Sequence, residues 1–256
     1  MKELDIKRMP PLPFEMAEAL NHLRINLSFC GDQVKTIMVT SSVPGEGKSF
    51  VAMHLWKMMA EVGIPVLLVD CDFRNSRLWH RYGISAASGE DLVGAAHYLA
   101  GRADLRDVVY QTNVSNGYMI PAASTIANPS ILLENPRFAR MMGCCKQQFG
   151  YVLVDTPSLG RVSDALNIAR RCDGSILVIR SGETPRKVVR HSVQRLNRAD
   201  SPLLGVVLNR IELKGRYGRR YAYSHYGYKK DAGGSDGRSH SHLKKRGTAG
   251  PGKTGG

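Results

Sequence analysis

A short apolar strand leads directly into a glycine-containing turn that ends in Lys-Ser, and a helical stretch follows. The strand covers residues 36–40, and the turn reads Ser-Val-Pro-Gly-Glu-Gly-Lys-Ser from Ser42 to Ser49. This turn matches the end of the phosphate-loop pattern G-x-x-x-x-G-K-[ST], with Ser42 at the position of the first glycine. Backbone N–H groups in such a turn, together with the start of the helix, face a bound phosphate. The motif therefore favours an α/β fold with a phosphate-binding edge.

Short apolar runs alternate with helical stretches along most of the chain. The apolar runs cover residues 34–40, 64–70, 118–121, 151–155, 175–180 and 203–209. The helical stretches cover residues 14–29, 48–61, 129–148, 163–171 and 185–198. Several runs are almost continuously apolar, which is typical of strands buried on both faces. We therefore predict a P-loop NTPase fold of the α/β class, with a mostly parallel central sheet and helices on both faces.

Composition divides the chain into three parts. Residues 1–13 are polar and contain proline, which predicts an N-terminal arm, and residues 14–213 form the predicted single domain, including the helix 14–29. Residues 214–256 have too few apolar side chains to fold, so we expect a disordered tail. From Ile211 onward, eleven Lys or Arg and three Asp or Glu give a net charge of +8, within +14 for the chain. A basic tail favours an acidic partner, such as nucleic acid, anionic lipid or an acidic protein surface.

Membrane-spanning, secreted and zinc-binding proteins are disfavoured by the sequence. No apolar run approaches the roughly 18 residues that a spanning helix needs, and the first residues lack the apolar core of a signal peptide. The five cysteines are irregularly spaced and form no CxxC pair, unlike a disulfide framework or a zinc site. We therefore expect a cytoplasmic protein.

Acidic residues follow two of the predicted strands. Asp70 and Asp72 come after the run 64–69, and Asp155 comes after the run 151–154. Because ligands of open parallel sheets bind beyond the carboxyl ends of the strands, these acids are expected beside the phosphate loop. Asp155 is placed to hold Mg²⁺, and Asp70 or Asp72 could assist the metal or accept a hydroxyl proton. Arg74 could balance these carboxylates or contact phosphate, although for Asp72 and Arg74 a purely structural role as turn or cap is about equally supported.

Five of the ten tyrosines lie within twelve residues near the C-terminus, from Tyr217 to Tyr228. Their spacing fits neither a helix nor a core strand, so we expect the rings to be exposed. An aromatic, basic tail could stack on nucleic acid, or the cluster could be compositional drift. The chemical alternative is a cluster of phosphoacceptors, in which each phosphate adds about −1.5 to −2 charges and reverses the sign of the segment.

Together these segments resemble the bacterial tyrosine kinases (BY-kinases) of capsular and exopolysaccharide synthesis. The resemblance extends from Phe14 to Tyr228. It is carried by the phosphate loop 42–49, by Val-Asp-Cys-Asp-Phe-Arg at 69–74, by Val-Asp-Thr-Pro at 154–157 and by the tyrosine cluster. Residues 128–133 and 206–209 also look like family segments.

The resemblance implies an ATP-dependent protein-tyrosine autokinase that uses Mg²⁺ and regulates polysaccharide synthesis and export. Its implied catalytic residues are Lys48, Asp70, Asp72 and Asp155, and its implied metal ligands are Ser49, Asp70 and Asp155. The implied nucleotide-binding residues are Pro44, Gly45, Glu46, Gly47, Lys48, Ser49, Phe50 and Asn209, the last at the adenine position of related ATPases. The implied phosphoacceptors are Tyr217, Tyr221, Tyr223, Tyr226 and Tyr228.

The resemblance also implies partners. The family's N-terminal helix carries an E-x-x-R-x-x-R pattern used in self-association, and here Glu18 and Arg24 match while Asn21 replaces the first arginine. The implied assembly is a homo-oligomer that phosphorylates in trans. A separate transmembrane activator or adaptor would recruit it to the inner face of the cell membrane, and a tyrosine phosphatase would reverse the modification. No specific nucleic acid is implied.

Three other functions remain open on the sequence. A MinD- or ParA-type positioning ATPase has the same fold, but carries a second lysine in the phosphate loop where this chain has Val43. The basic tail would suit a nucleotide-dependent nucleic-acid binder. A catalytically weak chain could also serve as a scaffold for polysaccharide assembly.

Overall fold

The computed structural model describes residues 2–126, 128–160 and 163–211. Its strands are β1 (Lys2–Ile6), β2 (Thr36–Ser41), β3 (Val66–Asp70), β4 (Ile84–Ala86), β5 (Tyr110–Thr112), β6 (Gly117–Ile120), β7 (Tyr151–Asp155), β8 (Gly174–Arg180) and β9 (Leu203–Asn209). Its helices are α1 (Phe14–Ser28), α2 (Lys48–Glu61), α3 (Leu78–Tyr82), α4 (Ala95–Leu99), α5 (Leu105–Val108), α6 (Pro129–Glu134), α7 (Pro136–Gln148), α8 (Asp164–Ala169) and α9 (Arg186–Arg198). No helix among these residues is both long and apolar enough to cross a membrane.

The nine strands form one sheet in the order β4-β1-β5-β6-β3-β7-β2-β8-β9. Every pair from β6 to β9 in this order is parallel. Antiparallel pairing occurs where β1 meets β4 and where β5 meets β6. The predicted α/β fold with a mostly parallel sheet is therefore confirmed.

Two apolar clusters cover the two faces of the sheet. Met38 of β2 belongs to the cluster that includes Phe138 of α7 and Leu196 of α9. Its neighbour Ile37 belongs to the opposite cluster, which includes Trp56 of α2. Successive strand residues point to opposite faces, so a strand buried on both sides needs apolar residues at nearly every position. This is the reason that β2, β3 and β7 are almost continuously apolar.

The N-terminal segment differs from the predicted arm. Lys2–Ile6 forms β1, which lies inside the sheet between β4 and β5. Leu4 and Ile6 are buried, whereas Lys2 and Glu3 are exposed. The alternation of apolar and polar residues is that of a strand with one buried face. It includes only two apolar positions, however, so the polar composition of residues 1–13 led to the prediction of an arm.

The predicted helix 129–148 is two helices in the structure. Asn135 separates α6 from α7, and its side-chain oxygen accepts a hydrogen bond at 2.9 Å from the backbone nitrogen of Arg137. Pro136 then occupies the first helical position, where its missing N–H costs nothing. The Asn-Pro pair thus ends one helix and begins the next.

The first compact unit of the chain ends at Ile211. The predicted tail 214–256 lies outside the described residues.

Candidate active site

The phosphate loop joins β2 to α2 and depends on two glycines with a left-handed backbone. The φ angles of Gly45 and Gly47 are +85° and +100°, values at which a side chain is strained. At Gly47, a Cβ atom would also lie 2.1 Å from the side-chain nitrogen of Asn209. Lys48 is the first residue of α2. The loop therefore turns its backbone directly into the helix start, as an anion site requires.

The predicted carboxylates meet the loop at one edge of the sheet. In the β3–β7 ladder, Asp70 lies directly opposite Asp155, and in the β2–β7 ladder Asp155 lies opposite Val39. Lys48 Nζ lies 2.9 Å from Asp72 Oδ2 and 3.8 Å from Asp155 Oδ1. The same amine donates a 3.2 Å hydrogen bond to the Ser49 hydroxyl. The structure thus brings together one lysine, one serine and three aspartates that are far apart in sequence.

Asp70 is held firmly and is hard to ionise. Its carboxyl accepts hydrogen bonds from the backbone nitrogen of Asp72, at 3.1 Å, and from the Ser76 hydroxyl. Its exposed fraction is only 3%. Burial, followed by the nearby charge of Asp155, raises the pKa of Asp70 to about 7. At neutral pH the protonated and ionised forms of this carboxyl are therefore both substantially populated.

Lys48 and Asp155 stabilise each other's charged forms. Burial by itself would lower the pKa of Lys48, but the carboxylates of Asp155 and Asp72 raise it above its ordinary value. Burial raises the pKa of Asp155, while Lys48 and the Ser49 hydroxyl oppose that rise. Lys48 therefore stays protonated and positively charged beside the phosphate loop.

The oxygen atoms of the site fit a magnesium ion. Asp155 Oδ1 is buried and accepts no hydrogen bond from the described residues. Ser49 and Asp70 lie beside it and offer further oxygen ligands, which Mg²⁺ prefers. No group of three or more His, Cys, Asp or Glu side chains within the described ranges is arranged to hold a metal alone. Mg²⁺ bound with a nucleotide takes its remaining ligands from phosphate and water.

Arg74 contacts a residue that the sequence did not single out. Its Nε donates a 2.6 Å hydrogen bond to Asp164 at the start of α8, and the Ser130 hydroxyl donates to the same carboxylate. Asp164 is buried, with an exposed fraction of 1%. Arg74 therefore ties the loop after β3 to α8, and its hydrogen bond to Asp164, together with the charges of Asp164 and Asp72, raises the pKa of the guanidinium.

The other predicted nucleotide-binding residues surround the loop in different ways. Pro44 is exposed. The Phe50 ring is partly buried, with its centroid 4.3 Å from that of the His54 ring, and packs against the core cluster that includes Trp56 of α2. Asn209, at the end of β9, donates a 2.8 Å hydrogen bond to the backbone oxygen of Glu46. Its own side-chain oxygen accepts from the backbone nitrogen of Arg210 at 2.9 Å. The five tail tyrosines lie outside the described residues.

Comparisons with known proteins agree with this geometry. The sequence matches the AAA domain family over residues 34–182. It is 37% identical over 210 residues to the tyrosine-protein kinase CpsD of Streptococcus agalactiae, covering 79% of this chain and 90% of that protein. The chain belongs to the bacterial tyrosine kinase family. Among solved structures, the kinase domain of the Escherichia coli tyrosine kinase ETK matches with a TM-score of 0.72 and 29% identity, over 81% of this chain and 84% of that one.

The positioning ATPases are more distant from this bacterial tyrosine kinase. The septum site-determining protein MinD of Pyrococcus horikoshii, solved with Mg-ADP, matches with a TM-score of 0.59 and 25% identity. That match covers 72% of this chain and 71% of MinD. The shared architecture supports the predicted P-loop ATPase fold, while the relative of higher identity favours the kinase over the positioning ATPase.

Proposed function

We propose that this bacterial tyrosine kinase transfers the γ-phosphoryl group of ATP to tyrosines of the 217–228 cluster and thereby regulates capsular or exopolysaccharide synthesis and export. The observation that carries the proposal is the position of Lys48, 2.9 Å from Asp72 and 3.8 Å from Asp155 below the phosphate loop. A lysine and two acids around this loop form the usual machinery of phosphoryl transfer.

The residues of the site would act mainly by positioning and by balancing charge. Lys48 would exchange its contact with Asp72 for the β- and γ-phosphate oxygens. The backbone N–H groups of 45–49 would hold the same phosphates. Ser49, Asp70 and Asp155 would hold Mg²⁺, which neutralises developing charge on the phosphates when it is bound.

The tyrosine hydroxyl would attack the γ-phosphorus in line with the bond to the departing ADP. One O–P bond forms as another breaks, and the hydroxyl proton passes to a carboxylate. Asp70 and Asp72 are the candidates to receive it. The pKa of Asp70, about 7, is close to the value that a general base needs at neutral pH.

We further propose that the chain works with partners. A homo-oligomer would present the tyrosines of one copy to the site of another, and a separate transmembrane activator would bring the chain to the inner face of the cell membrane. A tyrosine phosphatase would reverse the modification. Phosphates on the tail would oppose its basic charge, so assembly should weaken as phosphate accumulates.

The test is to incubate the purified chain with ATP and Mg²⁺, with and without a candidate transmembrane activator, and to measure phosphotyrosine. Lys48→Met should abolish phosphotyrosine without lowering the helical content seen by circular dichroism. Normal labelling of that variant would remove Lys48 from the mechanism. ATP turnover without phosphotyrosine in the unmodified protein would instead support a positioning ATPase.

A further inference from the structure

Glu46 is the only acidic residue of the phosphate loop 42–49, and it is almost completely buried, with an exposed fraction of 1%. A negative charge in a loop that binds phosphates is unfavourable, because like charges repel at short range. Its presence therefore calls for a structural reason that outweighs this repulsion.

The Glu46 carboxylate crosses from the phosphate loop to the end of β8. One oxygen, Oε2, accepts a 2.8 Å hydrogen bond from the backbone nitrogen of Val43, within the loop. The other oxygen, Oε1, accepts a 3.2 Å bond from the backbone nitrogen of Arg180 and a further bond from the Thr184 hydroxyl. Both oxygens of the Glu46 carboxylate therefore accept hydrogen bonds within the protein.

A second attachment comes from the neighbouring strand. Asn209 donates a 2.8 Å hydrogen bond from its side-chain nitrogen to the backbone oxygen of Glu46. Asn209 is also the ladder partner of Arg180 at the ends of β8 and β9. The side chain of Glu46 is therefore hydrogen-bonded to Arg180 at the end of β8, and its backbone oxygen to Asn209 at the end of β9.

We propose that Glu46 is a positioning residue that fixes the shape of the phosphate loop before nucleotide arrives. The contacts among Glu46, Thr184, Asn209 and the backbone of Arg180, here called the Glu46 clasp, attach the loop to the ends of β8 and β9 and to Thr184. A loop held in its binding shape loses less conformational entropy when phosphate binds. This inference rests on the proposed function only in taking Mg-nucleotide as the ligand of the loop.

The direction in which one substitution changes the affinity for Mg-ADP distinguishes this positioning role from a simple effect of the Glu46 charge. In Glu46→Gln, one oxygen becomes an NH₂ group, so either Val43 or Arg180 faces a donor instead of an acceptor. The clasp then weakens, and the affinity for Mg-ADP measured by titration calorimetry should fall about tenfold, the typical loss for one hydrogen bond to a charged group. If Glu46 acted only through its negative charge, the same substitution would tighten nucleotide binding.

Thr184 supplies a matched pair of variants that leave the sequence of the phosphate loop 42–49 unchanged. Thr184→Val removes the hydroxyl and should weaken Mg-ADP binding by roughly threefold, whereas Thr184→Ser should restore the affinity. Because both residues act through one set of contacts, Glu46→Gln combined with Thr184→Val should be little worse than Glu46→Gln alone. Unchanged affinity in both single variants, or fully additive losses, would overturn the proposal.

Hydrogen exchange tests the clasp without nucleotide. Peptides that contain Val43 and Arg180 should exchange faster in Glu46→Gln and Thr184→Val than in the unmodified chain and in Thr184→Ser. Equal exchange in all four proteins would also overturn the proposal. A chain that binds Mg-ADP but makes no phosphotyrosine would contradict the proposed function and leave these measurements valid for the clasp.

Discussion

Replacing Asp70 by Asn should make the nucleotide-free protein more stable while removing its kinase activity. Asp70 is buried opposite Asp155, and its pKa is raised from 3.8 to about 7 by burial and by that neighbour. Asn has the same shape and can keep both contacts, because its oxygen accepts from Asp72 and its NH₂ group can donate to the Ser76 hydroxyl. The substitution therefore removes a costly charge and leaves the packing in place.

The size of the effect follows from the difference between the folded and unfolded pKa. Between pH 4 and 7 the folded protein keeps the proton on Asp70 and the unfolded chain loses it, so stability falls as pH rises through this range. The shift from 3.8 to about 7 corresponds to ~4 kcal/mol above pH 7, at 1.36 kcal/mol per unit. For a domain of this size the melting temperature of Asp70→Asn should rise by roughly 10 °C at pH 8, and by almost nothing at pH 4.

The assay is thermal unfolding at several pH values, without nucleotide, followed by circular dichroism. Asp173→Asn is the control of opposite sign, because the hydrogen bond from Lys146 and those from two backbone nitrogens outweigh burial and lower the pKa of Asp173. That variant should lose stability at neutral pH, and its deficit should shrink as pH falls through the folded pKa of Asp173. A melting temperature for Asp70→Asn at or below that of the unmodified protein at pH 8 would refute the account of the buried acid pair.

Three further sets of substitutions test other parts of the molecule. Changing all five tyrosines of the 217–228 cluster to Phe should remove most autophosphorylation, with calorimetric nucleotide affinity unchanged; full labelling would move the acceptors elsewhere. Arg74→Ala leaves the buried Asp164 without its cation and should lower the urea-unfolding free energy by about 2–3 kcal/mol. Adding Asp164→Asn should recover most of that loss. If the free-energy changes of the two substitutions simply added, the Arg74–Asp164 pair would not be the cause of the loss. Gly47→Ala should lower Mg-ADP affinity at least tenfold, because its positive φ strains any side chain and Asn209 fills the space; an affinity equal to that of the unmodified protein would contradict the crowding.

The central part of the fold could be predicted because its signals are local and strong. The strands β2, β3 and β7 are almost continuously apolar, and the rule for open parallel sheets placed Asp70 and Asp155 beside Lys48. The first strand was missed because Lys2–Ile6 contains only two buried apolar residues. Three-residue strands such as β5 are too short to show any periodicity.

The supporting contacts of the site were out of reach of sequence reasoning for a different reason. Asp164 binds Arg74 across 90 positions of sequence, and nothing in its local pattern distinguishes it from a residue that begins a helix. The link from Glu46 to Thr184 spans 138 positions. Only the folded chain shows which polar groups share a buried space. The presence of an acid, Glu46, within a phosphate-binding turn was nevertheless visible in the sequence, and its charge conflicts with that of the ligand.

The pairing of Asp70 with Asp155 has a consequence for regulation. Neighbouring strands are held about 4.8 Å apart by their backbone hydrogen bonds, so the sheet sets the separation of the Asp70 and Asp155 backbones. A change in the properties of this acid pair is therefore expected to come from the groups around it, namely the Lys48 amine beside Asp155 and the Ser76 hydroxyl on Asp70.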